Sequence, residues 1–233
     1  MVKLTLMKVL ALETATKAGS IAIADEEAFI GEVKLDVSKA HAERVMDYIA
    51  WLLKSANVSI NEIDAFAVSI GPGSFTGLRI GLSTIKGLAF SKKKPIVPVS
   101  TLDAMARRLP FSAYNICPML DARKDEVYTA LYKWENNTCM KIIPETAIEP
   151  VEFIKTIKGP TIFMGDGAIK YKDIISEILK ADAFFPSSSF MSPSASSVAE
   201  IALEKLSAGI ETDPISLTPF YIRKAEAEIR WKA

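Results

Sequence analysis

The chain has 233 residues, 49% of them hydrophobic, and its 28 Lys and Arg balance 28 Asp and Glu. That much apolar material supports a well-buried core at a size where one domain begins to give way to two lobes, and it excludes a disordered or fibrous chain. Zero net charge excludes the global positive field of a stand-alone nucleic-acid binder, so any contact with nucleic acid is expected to be local or shared with a partner. The apolar runs are of strand length, and Lys3 and Lys8 interrupt the first of them. No transmembrane span or secretory leader is therefore expected, and the protein is read as cytoplasmic. Cys117 and Cys139 form no C-x-x-C and His41 is the only histidine. That leaves too few soft ligands for zinc, and both thiols are expected reduced and partly buried.

Along the chain, three β-type segments come first, Val9–Glu13, Ser20–Asp25 and Ala28–Leu35, in the manner of a meander. Residues 40–56 then carry Ala42, Val45, Met46, Ile49, Leu52, Leu53 and Ala56 at helical spacing, with Ser38 placed to cap the helix. A buried-type strand, Ala65–Ile70, runs into Gly71-Pro72-Gly73-Ser74-Phe75-Thr76-Gly77 and a second helix to about Phe90. A strand at Pro95–Val99 and a helix at Leu102–Leu109 follow. This order predicts an α/β lobe with a mixed sheet and helices packed on it, the order of ribonuclease-H-like lobes. After Pro110 the pattern restarts with strands at Ile116–Leu120, Glu126–Trp134 and Thr138–Ile143, marking a second lobe. Helices are predicted at Glu152–Ile157, Ile169–Leu179 and Ala195–Leu206, with a strand at Thr161–Met164, a serine-rich loop at Pro186–Pro193 and a last helix at Tyr221–Trp231.

Backbone N–H groups at a glycine-rich helix entry can hold an anion, which makes Gly71–Gly77 the strongest local signal. It matches neither known phosphate loop. Gly77 is followed by Leu78 and Arg79 rather than Lys and Ser or Thr, and as a dinucleotide fingerprint its third glycine falls one position late. A tight structural turn and an anion site both stay open; for the latter Thr14, Thr16, Gly71, Gly73 and Ser74 are the candidates. Gly77, Gly81 and Gly87 inside a helix cost about 1 kcal/mol each relative to alanine, so something must offset them. Gly77 and Gly81 share a face with Thr84, which allows close packing either within the monomer or against another subunit.

The first helix bears a second face of His41, Arg44, Tyr48, Trp51 and Ser55, where aromatic residues beside an arginine suggest an interface anchor. His41, Arg44, Val45, Tyr48, Trp51, Leu52, Phe75, Gly77, Gly81 and Thr84 are therefore the partner-surface candidates. On this reading Gly81→Leu or Trp51→Asp weakens association and leaves the fold intact. Asp103 and Asp121 sit at strand ends where catalytic carboxylates occur, although helix capping or a turn accounts for each. Arg123, Lys124, Arg223 and Lys224 are either a solvated surface or phosphate contacts.

Five strings together resemble the bacterial TsaB (YeaZ) family: Leu10-Ala11-Leu12-Glu13-Thr14-Ala15-Thr16, Ala40-His41-Ala42-Glu43-Arg44, Gly71 to Gly81 (GPGSFTGLRIG), Leu120-Asp121-Ala122-Arg123 and Pro219-Phe220-Tyr221-Ile222-Arg223. The likeness runs from about Met7, an alternative start, to the C-terminal segment, and the Gly71–Gly81 string is its most specific part. It implies an actin-like ATPase fold of two ribonuclease-H-like lobes. Residues 1–109 would form the first lobe with the partner-binding helices, 110–218 the second, and 219–233 would return to the first.

The resemblance further implies a non-catalytic subunit, with no cofactor or metal of its own, that supports the catalytic paralogue TsaD. That paralogue binds ATP and a metal ion and transfers threonylcarbamoyl from its adenylate to N6 of adenosine 37 in tRNAs reading ANN codons. ATP or ADP and the metal are thus expected on the partner. The ATPase TsaE is expected in the complex, tRNA only within it, and a homodimer when the chain is alone. The paralogue's metal-binding H-x-x-x-H falls on Thr101 and Met105 here, and neither side chain replaces imidazole. Two rivals remain at this stage. One is an actin-like ATPase or sugar-type kinase using the Thr14–Thr16 turn and the Gly71–Gly77 loop for phosphates, with Glu13, Asp103 and Asp121 as its scattered carboxylates. The other is a metal-dependent peptidase, for which no H-E-x-x-H is present.

Overall fold

The structure, a computed structural model, describes residues 6–36, 41–213 and 215–223, with backbone alone at 35, 36 and 41–43. It divides into two compact units, the first formed by Met1–Ala104 and Ser194–Phe220, the second by Met105–Pro193 and Tyr221–Ala233.

In the first unit β1 (Val9–Glu13), β2 (Ala18–Ala24), β3 (Phe29–Asp36), α1 (His41–Ser55), β4 (Ala65–Gly71), α2 (Phe75–Lys92), β5 (Ile96–Ser100) and the first four residues of α3 (Thr101–Ala106) follow in chain order. The sheet order is β3-β2-β1-β4-β5. β1 is antiparallel to β2 and β2 to β3, while β1, β4 and β5 run parallel. Alternation along the strands decides what covers each face. Leu10, Leu12, Ile21, Ile23, Phe66, Val68 and Ile96 point to one side, where Val45, Ile49 and Leu52 of α1 and Leu82, Ile85 and Ala89 of α2 complete a core of large side chains. Val9, Ala11, Ala22, Ala24, Ala65, Ala67, Val97 and Val99 point to the other. That face of small residues lets a helix lie close to the sheet, and it is covered by α7 (Ala195–Ser207) through Ala195, Val198, Ala199 and Ala202.

Packing of α7 on the first sheet corrects the expected boundaries. Residues 110–218 do not form one lobe, because Ser194–Phe220 belongs to the first unit and the second begins at Met105. The reason is the alanine face of the first sheet, which α7 buries. Its entry is also fastened there: the Ala195 amide donates to Ser20 Oγ at 2.8 Å and to Glu32 Oε1 at 2.9 Å, and Ser194 Oγ donates to Glu32 Oε1 at 2.6 Å. After α7 the chain pairs Thr212 with Ile96 at the β5 edge and buries Leu217 in the core. Of the segment expected to return to the first lobe, Pro219 and Phe220 do lie in the first unit, while Tyr221–Arg223 belong to the second. Those three residues are not helical, and the rest of the predicted Tyr221–Trp231 helix lies outside the described residues, as does Ser38.

In the second unit β6 (Asn115–Arg123), β7 (Glu126–Glu135), β8 (Thr138–Ile148), α4 (Pro150–Ile154), β9 (Thr161–Met164), α5 (Asp166–Lys170), α6 (Lys172–Leu179) and the two-residue β10 (Ala183–Phe184) give a sheet of order β10-β9-β6-β7-β8. Read from β8, this repeats the first sheet strand for strand, with the same parallel and antiparallel pairings. The predicted helix over 169–179 is two helices that start earlier, broken at Tyr171, whose φ of −106° and ψ of 19° leave the helical region.

Candidate functional site

The glycine-rich loop and the end of β1 are interlocked. Ser74 caps α2 by accepting the Gly77 amide at 3.3 Å, and its own amide donates to Ala15 O at 2.7 Å. Thr14 Oγ1 donates to Gly77 O at 2.8 Å. A side chain at Gly73 would run into Ala15, one at Gly77 into the Thr14 carbonyl oxygen, and one at Gly81 into Thr14 Oγ1. Gly71, at φ +123°, faces the carbonyl of Phe220, whose amide donates to Ile70 O at 2.8 Å. The glycines that sequence left open between a turn, an anion site and a subunit contact thus serve close packing inside the first unit. Thr16 Oγ1 donates to Ala18 O at 3.1 Å, closing the β1–β2 turn. Of the five phosphate candidates, Thr14 and Ser74 have hydroxyls engaged by protein, and Gly71 and Gly73 face protein backbone.

Gly77, Gly81, Val45 and Leu52 are interior positions, which corrects their assignment to a partner surface. The two glycines face the β1–β2 turn, and Val45 and Leu52 face the sheet. Among the residues that α1 and α2 leave outside are Arg44 and Met46, Trp51 at 58% exposure and Phe90 at 75%, with Tyr48, Phe75 and Thr84 half-buried. The two helices pack side by side on the sheet, so these residues belong to one helical layer. The His41 side chain lies outside the described residues.

Beneath the joint sits Glu13, which in sequence is only one of three scattered carboxylates. Glu13, at the end of β1, is fully buried and accepts hydrogen bonds from Ser69 Oγ and the Ala15 amide. Burial pushes its carboxyl up to about 7, against the downward pull of Ser69, Ala15 and, through its charge, Lys34. A carboxylate ending an otherwise apolar strand, Val9-Leu10-Ala11-Leu12-Glu13, was the signal available in the sequence. At the start of α3 the capping that Asp103 was weighed for is supplied by Ser100, whose Oγ accepts the Leu102 and Asp103 amides.

In the second unit Asp121 has the turn role, accepting from the Arg123 amide at 3.0 Å and from Lys170 Nζ at 3.1 Å. Arg223 forms an ion pair with Glu126 at 2.6 Å and donates to Ala122 O. The Leu120–Arg123 and Tyr221–Arg223 strings therefore meet, as Leu10–Thr16 and Gly71–Gly81 do in the first unit. Lys224 lies outside the described residues. Cys117 is buried, its thiol pushed up to about 12 by desolvation, and Cys139 is half-buried; neither is in a disulfide.

The profile of the family described as TsaD, tRNA N6-adenosine threonylcarbamoyltransferase, matches residues 23–231. The chain is 31% identical to the tRNA threonylcarbamoyladenosine biosynthesis protein TsaB of Bacillus subtilis, over 97% of its own length and 98% of that protein's. It is similar to the solved structure of YeaZ from Pseudomonas aeruginosa, with a TM-score of 0.79 at 26% identity over 92% of this chain and 99% of that one. In fold alone it is similar to component A of the Acidaminococcus fermentans (R)-2-hydroxyglutaryl-CoA dehydratase, with a TM-score of 0.52 at 10% identity over 86% and 99% of the two chains.

Proposed function

The chain belongs to the TsaB family of tRNA threonylcarbamoyladenosine biosynthesis proteins, and we propose that it acts there as an accessory subunit, without chemistry of its own, that binds and supports the catalytic paralogue TsaD. Its fold is the actin-like one, two ribonuclease-H-like units built on the same strand order. The observation that carries the reading is this near full-length kinship combined with what stands at the paralogue's paired metal-binding histidines. Here they are Thr101 and Met105, both fully buried, and neither a hydroxyl nor a thioether takes the place of imidazole on a borderline metal. ATP or ADP and the metal ion accordingly belong to the partner, and TsaE and tRNA join through the complex.

For the contact with TsaD the reading uses the outer side of α1 and α2. Trp51 beside Arg44 and Tyr48, with Phe90 exposed on α2, has the composition of an interface anchor. On this reading it works in the cytoplasm, where the complex meets tRNA; among the described residues no helix is long and apolar enough to cross a membrane. The test is threonylcarbamoyl transfer to unmodified tRNA by TsaD supplied with the adenylate, with and without this chain and with each protein alone. Strong stimulation with no activity from this chain alone is the expected result. Transfer by this chain alone, or no stimulation, overturns the reading.

A further inference from the structure

We propose that Glu13 is a protonation switch on the joint between the β1–β2 turn and α2: with its carboxyl neutral the turn stays closed on the glycine loop, and release of the proton to solvent loosens the turn and the first turn of α2 with it.

The argument begins with the neighbours of Glu13 in the sheet. It pairs with Ser20 on β2, which pairs with Lys34 on β3, and Ser69 of β4 lies on its other side. This row shares the small-residue face that α7 covers. The charged groups of β3 in this region are Lys34, two strands away, and Glu32, whose carboxylate is engaged by Ser194 and Ala195. Ser20 is uncharged and its oxygen accepts the Ala195 amide. An ionised Glu13 would therefore have two donors, Ser69 Oγ and the Ala15 amide, and an ammonium two strands away, in a place closed to solvent. A buried carboxylate with so little compensation takes up a proton or draws in water. The direction of its titration agrees, since burial is the largest influence on it.

Water can enter only where the packing gives way, and the turn is the part tied to Glu13. Its Ala15 amide bonds to the carboxyl, its Ala15 carbonyl holds the Ser74 amide, and its Thr14 hydroxyl holds Gly77. A displacement of Thr14 and Ala15 therefore breaks the contacts that seat the start of α2. The cost of ionising Glu13 is thereby coupled to the opening of this one joint.

The test is amide hydrogen exchange at Ser74, corrected for intrinsic rates, in the full chain and in Glu13→Gln, which stays neutral at all pH. With the carboxyl titrating near 7 when the joint is closed and near an ordinary glutamate value when open, opening should be roughly 70-fold more frequent at pH 8 than at pH 5. In Glu13→Gln it should be flat. A flat wild type, or the same rise in the variant, overturns the switch. Titration of the Glu13 side-chain carbonyl carbon by NMR in the unsubstituted chain gives a second readout: a midpoint near 7 is expected, and one in the ordinary glutamate range overturns it even if the variant fails to fold.

Discussion

Changing the three glycines of α2 to alanine one at a time separates helix propensity from close packing. Each substitution gains about 1 kcal/mol of intrinsic helix stability. At Gly87, which is exposed with nothing within 4 Å of a new methyl, that gain stands alone, so Gly87→Ala should stabilise by about 0.5–1 kcal/mol. At Gly81 the methyl meets Thr14 Oγ1, which must then leave Gly77 O. Losing a buried hydrogen bond costs about 1–3 kcal/mol, so the net should be a loss of about 1 kcal/mol. At Gly77 the methyl meets the Thr14 carbonyl, which cannot rotate aside without moving the turn and breaking the Ser74–Ala15 bond. Overpacking plus that bond should outweigh the helix gain by about 2 kcal/mol. Urea unfolding at constant slope reads all three. If Gly77→Ala or Gly81→Ala stabilises as Gly87→Ala does, the glycines are not packed on Thr14 and a subunit contact becomes their better explanation.

Glu13 also predicts how stability follows pH. Its carboxyl is raised from 4.5 to about 7 in the folded chain, so the folded state holds the proton more tightly. The stabilisation is fully present below the unfolded value and is lost as pH rises through the folded one, with a total of about 3 kcal/mol. Urea midpoints should fall across that window in the wild type, and Glu13→Gln should remove this component; an unchanged slope rejects the assignment. Glu32→Ala removes the acceptor shared by Ser194 and the α7 entry, with Ser20 still holding the Ala195 amide, so a loss of about 1 kcal/mol is expected by the same method. Trp51→Asp should leave the unfolding midpoint within about 0.5 kcal/mol, since the residue is exposed. It should weaken association with TsaD at least tenfold by titration calorimetry, and unchanged affinity would move the contact away from α1.

Strand periods made most of the fold legible, because alternation such as Ile21 and Ile23 fixes which way each side chain points. Thr161–Met164 was read to the residue, being a short apolar run with breakers on both sides. The place of α7 was not legible. Its stripe of Ala195, Val198, Ala199 and Ala202 suits any sheet face of small residues, and only the three-dimensional structure shows that the one awaiting it is on the first sheet, where Ala195 bonds to Ser20, 175 positions earlier. β10 has two residues, too few for a period to register. At the site, the glycine string announced a close approach, but sequence could not say to what. The partner proved to be Thr14 and Ala15, which the resemblance had quoted in a separate string. For α1, periodicity separates two faces, and Val45 and Leu52 follow its core stripe rather than the partner surface.

The same joint recurs in the second unit, and this says what the glycines are for. There the helix after β9 starts against Met119–Asp121 of β6, as α2 after β4 starts against Thr14 and Ala15 just past the end of β1. Gly165, at φ +113°, and Gly167 both face the carbonyl of Met119, in the place that Gly77 and Thr14 hold in the first unit. A polar clasp closes each: Ser74 N to Ala15 O in one, and the Asp121 amide to Asp166 Oδ1 at 3.0 Å in the other. A helix that enters beside the end of the central strand must bring its backbone against a carbonyl, and only a residue without Cβ permits that. The demand falls on one or two positions and on nothing between them, which is why a repeat plain in strand order leaves so little trace in sequence. It also means that a glycine-rich string after the fourth strand of such a unit reports backbone proximity first. Phosphate binding there requires separate grounds: amides left facing open space, whereas here the Ser74 amide is bonded to Ala15 and the Gly77 amide to Ser74.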